Sequence, residues 1–290
     1  MTRLADGRLG IVIPTRNRGP MLEAIVREIL PTCEELNVAV TLSDNCSSDD
    51  TEARARRLAG QSGLVRYFKT SEPLPIERSL MASLARCEAE YALWSGDDDC
   101  IHPDGLRTIA RLLTGREPSV IVFQSSQIPE GLSVDLDAPL LPQLRLAPTG
   151  APDTLRTFTD AAELFRDQLQ KPPLGTFVVR VQALLATPYE RFYYSLHPHL
   201  GAMYDYLALE QEANGVVDAV LSSEAFSTAL IRLGSDRKAW SELVEHIAHR
   251  GFQSWFRNLH PLYQPHIDEG LALHRHLFRA VLSAPPSSTR

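Results

Sequence analysis

Much that would send a protein to a membrane, a nucleic acid or an oxidising compartment is missing from this sequence. No window approaches the roughly 18 uninterrupted apolar residues that a membrane span needs, and the first ten residues carry two arginines without the apolar stretch of an export signal. Neither secretion nor membrane spanning is expected. There are only four cysteines, Cys33, Cys46, Cys87 and Cys100, and no C-x-x-C pair. That excludes a disulfide framework and reads as reduced thiols in a cytoplasmic protein, with Cys46 and Cys100 as bystanders to the polar motifs beside them. A basic excess is also lacking: the net charge is −7 and the pI about 5.7. Nucleic acid and anionic lipid are therefore excluded as main partners, and any phosphate-bearing ligand must be gripped locally, by a metal or a few arginines. No internal repeat and no glycine-rich phosphate loop is present.

What remains is an ordinary globular composition, 290 residues with 44% hydrophobic, enough for one large α/β domain or two modest ones. Leu9-Gly10-Ile11-Val12-Ile13-Pro14 reads as a strand buried on both faces, followed by the polar turn Thr15-Arg16-Asn17-Arg18-Gly19. Met21 to Leu30 then lines up Leu22, Ile25, Val26 and Ile29 as one helical face that Pro31 should end. A second strand, Val38 to Ser43, runs into Asp44-Asn45-Cys46-Ser47-Ser48-Asp49-Asp50-Thr51, where Ser48 or Asp49 can cap a helix over Thr51 to Leu58. Further strands are expected at Leu64 to Phe68, Tyr91 to Ser95 and Ser119 to Phe123, with helices at Ile76 to Cys87 and Asp104 to Leu113. This alternation predicts an α/β fold, a doubly wound and mostly parallel sheet flanked by helices. Ligands of such sheets lie beyond the carboxyl ends of the strands, so the polar clusters at Thr15 to Arg18, Asp44 to Asn45 and Asp97 to Asp99 should converge on one edge.

The most informative stretch is Tyr91-Ala92-Leu93-Trp94-Ser95-Gly96-Asp97-Asp98-Asp99-Cys100-Ile101-His102-Pro103-Asp104. Three adjacent carboxylates repel one another, each close pair by on the order of a few kcal/mol in a partly screened site. A divalent cation with a taste for hard oxygen ligands, magnesium or manganese, would offset that repulsion. A solvated acidic turn ahead of the next helix is the plainer alternative.

The ordered trio of Ile11-Val12-Ile13-Pro14-Thr15-Arg16-Asn17-Arg18, Leu42-Ser43-Asp44-Asn45 and Trp94-Ser95-Gly96-Asp97-Asp98-Asp99 resembles the signatures of family 2 glycosyltransferases of GT-A fold, over roughly the first 125 residues. The spelling of the acid cluster is closest to the abequosyltransferase-like branch. The resemblance implies a nucleotide-diphosphate sugar donor of UDP or dTDP type, a divalent metal (Mg²⁺ or Mn²⁺) and inverting transfer to the hydroxyl or amine of a small-molecule or glycan acceptor. By position, Pro14, Thr15, Arg16 and Asn17 would line the nucleobase, and Asp44, with Asn45 beside it, would accept a hydrogen bond from the base ring. Arg78 would lie beside the diphosphate, unless it is an exposed helix arginine paired with an acid such as Glu77. Gly96 stands where many family members carry the first acid of the cluster. Counting back from Pro103 makes Asp98 the metal ligand and Asp97 the ribose contact, whereas a literal D-x-D reading takes Asp97 and Asp99; we carry Asp98 and Asp99 as the metal pair.

Residues 126–235 should form the acceptor side of the same domain and 236–290 a helical C-terminal extension, after a nucleotide-sugar-binding half at 1–125. Ile128 to Pro152 reads as a long irregular connection, Thr159 to Gln170 and Pro198 to Ala213 as helices, Thr176 to Val181 as a strand and Ala284 to Arg290 as a frayed tail. An inverting transfer needs a general base. The usual Glu-Asp pair is absent, which leaves Asp205 and His199 as rival candidates. Arg232-Leu233-Gly234-Ser235-Asp236-Arg237 resembles the family's loop over the diphosphate, and the pairs His246/His249 and His274/His276 read as surface or core histidines rather than metal ligands. Two other readings compete: a non-catalytic nucleotide-sugar-binding protein, and a sugar-phosphate nucleotidyltransferase, which would normally open with the glycine-rich loop missing here.

Overall fold

A computed structural model describes residues 3–128, 132–144, 155–169, 177–193, 195, 197–230, 252–269 and 272. Nine strands form one sheet: β1 (Leu9–Thr15), β2 (Ala39–Asp44), β3 (Val65–Lys69), β4 (Tyr91–Trp94), β5 (Asp99–Ile101), β6 (Val120–Gln127), β7 (Leu155–Phe158), β8 (Phe177–Arg180) and β9 (Ala219–Ala229). Their order is β3-β2-β1-β4-β8-β6-β9-β5, with β7 also paired to β9. The first four are parallel to one another, as expected of a doubly wound sheet. Beyond β4 the sheet is mixed, because β8 inserts antiparallel between β4 and β6, and β5 and β7 run antiparallel to β9.

Alternation along β1 shows how the layers are built. Ile11 and Ile13 point to one face, where they meet Leu22, Val26 and Ile29 of α1 (Gly19–Leu36), Leu58 of α2 (Thr51–Gln61), and Leu106 and Ile109 of α4 (Pro103–Gly115). Val12 points to the other, which is covered by α3 (Ile76–Leu84), α5 (Ala161–Gln168), α6 (Val181–Leu185), α7 (Pro198–Asn214) and the segment 252–269, with α8 at Phe252–Asn258. A strand sandwiched between two helical layers must be apolar on both sides, which is why β1 reads as a continuous hydrophobic run.

Pro31 does not end α1, which continues to Leu36 with Pro31 inside it. The lost backbone hydrogen bond is tolerated because Cys33 and Leu36 in the extra turn are fully buried on the sheet. Helix α7 is buried on all sides from Pro198 to Ala208, so its sequence shows no clean stripe. Its close fit is set by Gly201, where an added Cβ would fall inside the ring of Phe192 in the short 3₁₀ turn Tyr189–Phe192. Among the described residues no helix is long and apolar enough to cross a membrane, and all four cysteines are free. The expectations for residues 232–237, for His246, His249, His274 and His276, and for the tail at 284–290 lie outside the described residues.

Candidate active site

Because β1, β2 and β4 are parallel and adjacent, the loops that leave them share one edge of the sheet. Thr15 ends β1 opposite Asp44 at the end of β2. From there Thr15 Oγ1 donates to Asp97 Oδ2 at 2.7 Å, and Arg18 Nη1 bridges Asp97 Oδ1 at 3.2 Å and Asp98 Oδ2 at 2.8 Å. Pro14 is half-buried at the strand end. The side chains of Arg16 and Asn17 are exposed, although the Arg16 backbone N–H bonds to the Asp97 carboxylate.

The loops after β1 and β2 brace each other. Asn17 takes a left-handed backbone, φ 55°, which asparagine tolerates better than most residues. Its N–H donates to Ser47 Oγ at 2.8 Å, and its Oδ1 accepts from the Ser48 N–H at 2.8 Å. The Asn45 N–H donates to the Thr15 carbonyl at 2.9 Å, while its side-chain amide both donates to and accepts from the Leu74 backbone. Asp44 has no exposed surface. Its carboxylate accepts from the Ser47 N–H at 2.8 Å and from the Tyr67 hydroxyl at 2.7 Å. The three motifs thus meet: β1 and β2 loops through backbone and amide bonds, β1 loop and acid cluster through Thr15 and Arg18.

The acid cluster carries its own electrostatic signature. Asp97, Asp98 and Asp99 are all half-buried. Burial pushes Asp97 up to about 6, against the pull of Arg18 and Thr15 and with added repulsion from Asp98. Burial followed by repulsion from Asp98 and Asp97 does the same for Asp99, to about 6. Asp99 begins β5, and its Oδ2 turns back to accept the Gly96 N–H at 3.1 Å. Gly96 is small for a reason: a Cβ there would stand 2.7 Å from Asp98 Oδ1 and 2.9 Å from Asp99 Oδ2. Two carboxylates thus crowd one open spot on the backbone, one of them reluctant to ionise. These are hard oxygen donors that a divalent cation would relieve, and magnesium in particular is held by one or two carboxylates together with substrate phosphates. Among the described residues no three potential metal-ligating side chains converge, so two carboxylates are the most this cluster offers an ion.

The remaining expected residues fall in different places. Arg78 is exposed near the start of α3, its guanidinium 5.8 Å from the Tyr193 ring centroid rather than in a salt bridge to Glu77. His199, in the first turn of α7, lies against Trp94, the last residue of β4, with ring centroids 5.1 Å apart. It is 7% exposed, and burial, with the neighbouring His197, pushes it down to about 3. Such an imidazole is a weak proton acceptor. Asp205 faces elsewhere. It pairs with Arg191 Nη2 at 2.5 Å and accepts from the His260 backbone N–H, which fastens α7 to the 3₁₀ turn at Tyr189–Phe192 and to the C-terminal segment. The two candidates for the base therefore share a helix but not a location. Arg18, which ties the β1 loop to the acids, had no separate role in the sequence reading; its signal is a second cation placed just before the Gly-Pro start of a helix.

The class that this edge and this fold define is that of glycosyltransferases: residues 10–143 match the model of Glycosyl transferase family 2. No curated relative matches the chain in sequence. Among solved structures, S. aureus TarS (residues 1–349) in complex with UDP-GlcNAc superposes with a TM-score of 0.57 at 17% identity, covering 93% of this chain and 73% of that one. The mannosyltransferase PcManGT from Pyrobaculum calidifontis, in complex with GDP-Man and Mn²⁺, gives 0.56 at 14% identity, covering 97% and 77%. Glucosyl-3-phosphoglycerate synthase from Mycobacterium tuberculosis, in complex with phosphoglyceric acid, gives 0.51 at 16%, covering 86% and 79%. At such identities the likeness is one of fold, a central sheet flanked by helices in the GT-A manner.

Proposed function

We propose that this chain is a metal-dependent inverting glycosyltransferase that moves a sugar from a nucleotide-diphosphate sugar, of UDP or dTDP type, to an acceptor hydroxyl or amine. The observation that carries the reading is the bonding of Thr15 and Arg18 to Asp97 and Asp98, which draws loops from two parallel strands around one acidic spot on the ligand-binding edge. The structural neighbours named above include complexes with UDP-GlcNAc and with GDP-Man and Mn²⁺, which supports a nucleotide sugar and a divalent ion as ligands.

In this reading Pro14 to Asn17 wall the nucleobase, with Asn45 holding the wall to the loop at Leu74. A base contact at Asp44 asks the Tyr67 hydroxyl to share or yield its place on the carboxylate. Asp97 takes the ribose, and Asp98 and Asp99 would hold the metal across Gly96. A bound Mg²⁺ or Mn²⁺ would supply charge neutralisation to the departing diphosphate. Arg78, exposed at the start of α3, is free of carboxylate partners and suits a phosphate. Residues 1–125 and 126–235 form the two sides of one transferase domain and 236–290 its extension, acting in the cytoplasm.

The base is the weakest part of the assignment, since His199 is buried and poorly basic and Asp205 is spent on Arg191. That observation favours one second reading, a protein that binds nucleotide sugars without transferring them. The test has two stages. Thermal melts with UDP, dTDP and GDP, with and without Mn²⁺, should show metal-dependent stabilisation by at least one diphosphate. Slow hydrolysis of the matching nucleotide sugar, abolished in Asp98→Asn, then separates enzyme from binder; full turnover in that variant would refute the metal assignment.

A further inference from the structure

Two buried polar atoms at the end of β4 have no partner. Trp94 is 5% exposed and its indole Nε1–H donates to nothing; His199 is 7% exposed and its Nδ1 is likewise without a hydrogen bond. The rings adjoin, tilted by 47°, and do not bond each other. Phe177 packs on both, edge-on to Trp94 with centroids 6.4 Å apart and nearly parallel to His199 at 6.1 Å. Buried donors and acceptors are nearly always satisfied, because leaving one dry forfeits its bond to water. An unpaired donor and an unpaired acceptor side by side are complementary to a group that can accept and donate at once.

A hydroxyl is that group. The indole can only donate. The imidazole is neutral at ordinary pH, since burial holds it down to about 3, so with its proton on Nε2 it offers a lone pair at Nδ1. Trp94 stands two residues before Gly96, at most about 7 Å of extended chain. A sugar hanging from a diphosphate at Asp98 and Asp99 is the nearest source of hydroxyls. We propose that Trp94 and His199 read one hydroxyl of the donor's sugar ring, with Nε1–H donating to its oxygen and its hydrogen donated to Nδ1, so that the pair selects which sugar is accepted. This rests on the nucleotide-sugar reading above.

The test compares a nucleotide sugar with its bare diphosphate. Calorimetric titration with Mn²⁺ present uses UDP against UDP-GlcNAc and GDP against GDP-mannose, taking whichever pair the unaltered chain binds. Trp94→Phe removes the N–H but keeps a ring, and His199→Phe removes Nδ1. Each should weaken the nucleotide sugar at least fivefold and leave the diphosphate within twofold, whereas His199→Asn, which keeps a polar atom near Nδ1, should recover most of the loss. Equal weakening of both ligands means that the pair only supports the fold, and unchanged affinity for both means that a resident water satisfies it; either overturns the proposal. Loss of turnover with intact donor affinity would move the hydroxyl to the acceptor, and also overturns it. If no diphosphate binds the unaltered chain, the donor reading itself falls and takes this inference with it.

Discussion

Acidifying the solution from about pH 7.5 to about pH 5 should cost the folded chain about 2 kcal/mol through His199 alone. An imidazole in the unfolded chain titrates near 6.5, so at about pH 5 it is roughly 30-fold more protonated than neutral, and each pKa unit is worth about 1.4 kcal/mol. In the folded chain burial holds His199 down to about 3, so it gains almost no proton at that pH. The unfolded state therefore binds protons that the folded state refuses, and stability falls as pH drops through 6.5, levelling off only near 3. Asp97 and Asp99 act with the opposite sign. Their carboxyls are raised to about 6 by burial, so the folded state takes up protons first and gains stability as pH falls from about 6 towards 4. A pH profile of the unaltered chain alone would blend the two and look flat. The clean measurement is the difference between the unaltered chain and His199→Asn, in which the carboxylate contributions cancel. Urea unfolding at both pH values should show the gap moving by about 2 kcal/mol in favour of the variant at the lower pH. A gap that is the same at both would mean that His199 is not a buried neutral imidazole, and the hydroxyl-reading pair with Trp94 would lose its acceptor.

Two further substitutions separate chemistry from architecture. Gly96→Ala brings a methyl to within 3 Å of carboxylate oxygens of Asp98 and Asp99; because these are flexible side-chain ends, the melting temperature should hardly move, while Mn²⁺-dependent stabilisation disappears and donor hydrolysis drops at least tenfold. Hydrolysis that survives would show that the two carboxylates need not meet at that spot. Asp205→Asn weakens the pair with Arg191 that fastens α7, and should lower unfolding free energy by about 1–3 kcal/mol with donor affinity retained. Unchanged stability together with abolished turnover would instead make Asp205 the base.

The first half of the fold was legible because β1, β2 and β4 are buried on both faces, so their apolar runs stop where the polar loops begin, and parallel pairing then brings those loops together. Pro31 misled because a rule about local hydrogen bonding was outweighed by the burial of Cys33 and Leu36 one turn further on. Strand β9 went unseen for a different reason. Its Ser222, Ser223, Glu224, Ser227 and Thr228 read as a loop, but the hydroxyls are satisfied by neighbours across the sheet: Thr228 Oγ1 lies 2.7 Å from Ser126 Oγ and 2.8 Å from His102 Nε2, and Ser227 Oγ donates to Ser125. A strand stabilised by its neighbours' polar groups leaves no hydrophobic signal in its own sequence. Strand β5 was hidden inside the acid run, since Asp99 is both the third carboxylate and the first residue to pair with β9.

The two sides of the site differ in what holds them. Around the β1 and β2 loops the bonds run from backbone N–H groups and amides to fixed oxygens, with Asn17 and Asn45 each making paired contacts; such a wall is formed before any ligand arrives and costs little to use. The acid cluster is held by charge. Arg18 spans Asp97 and Asp98, and two of the three carboxyls sit near 6 because burial disfavours their ionised forms. A cation arriving there must expel protons from the same groups that bind it, so its affinity has to rise with pH through the region of 6. Nucleotide recognition on the braced side has no titrating group of that kind, and should keep its strength where the metal has already been lost.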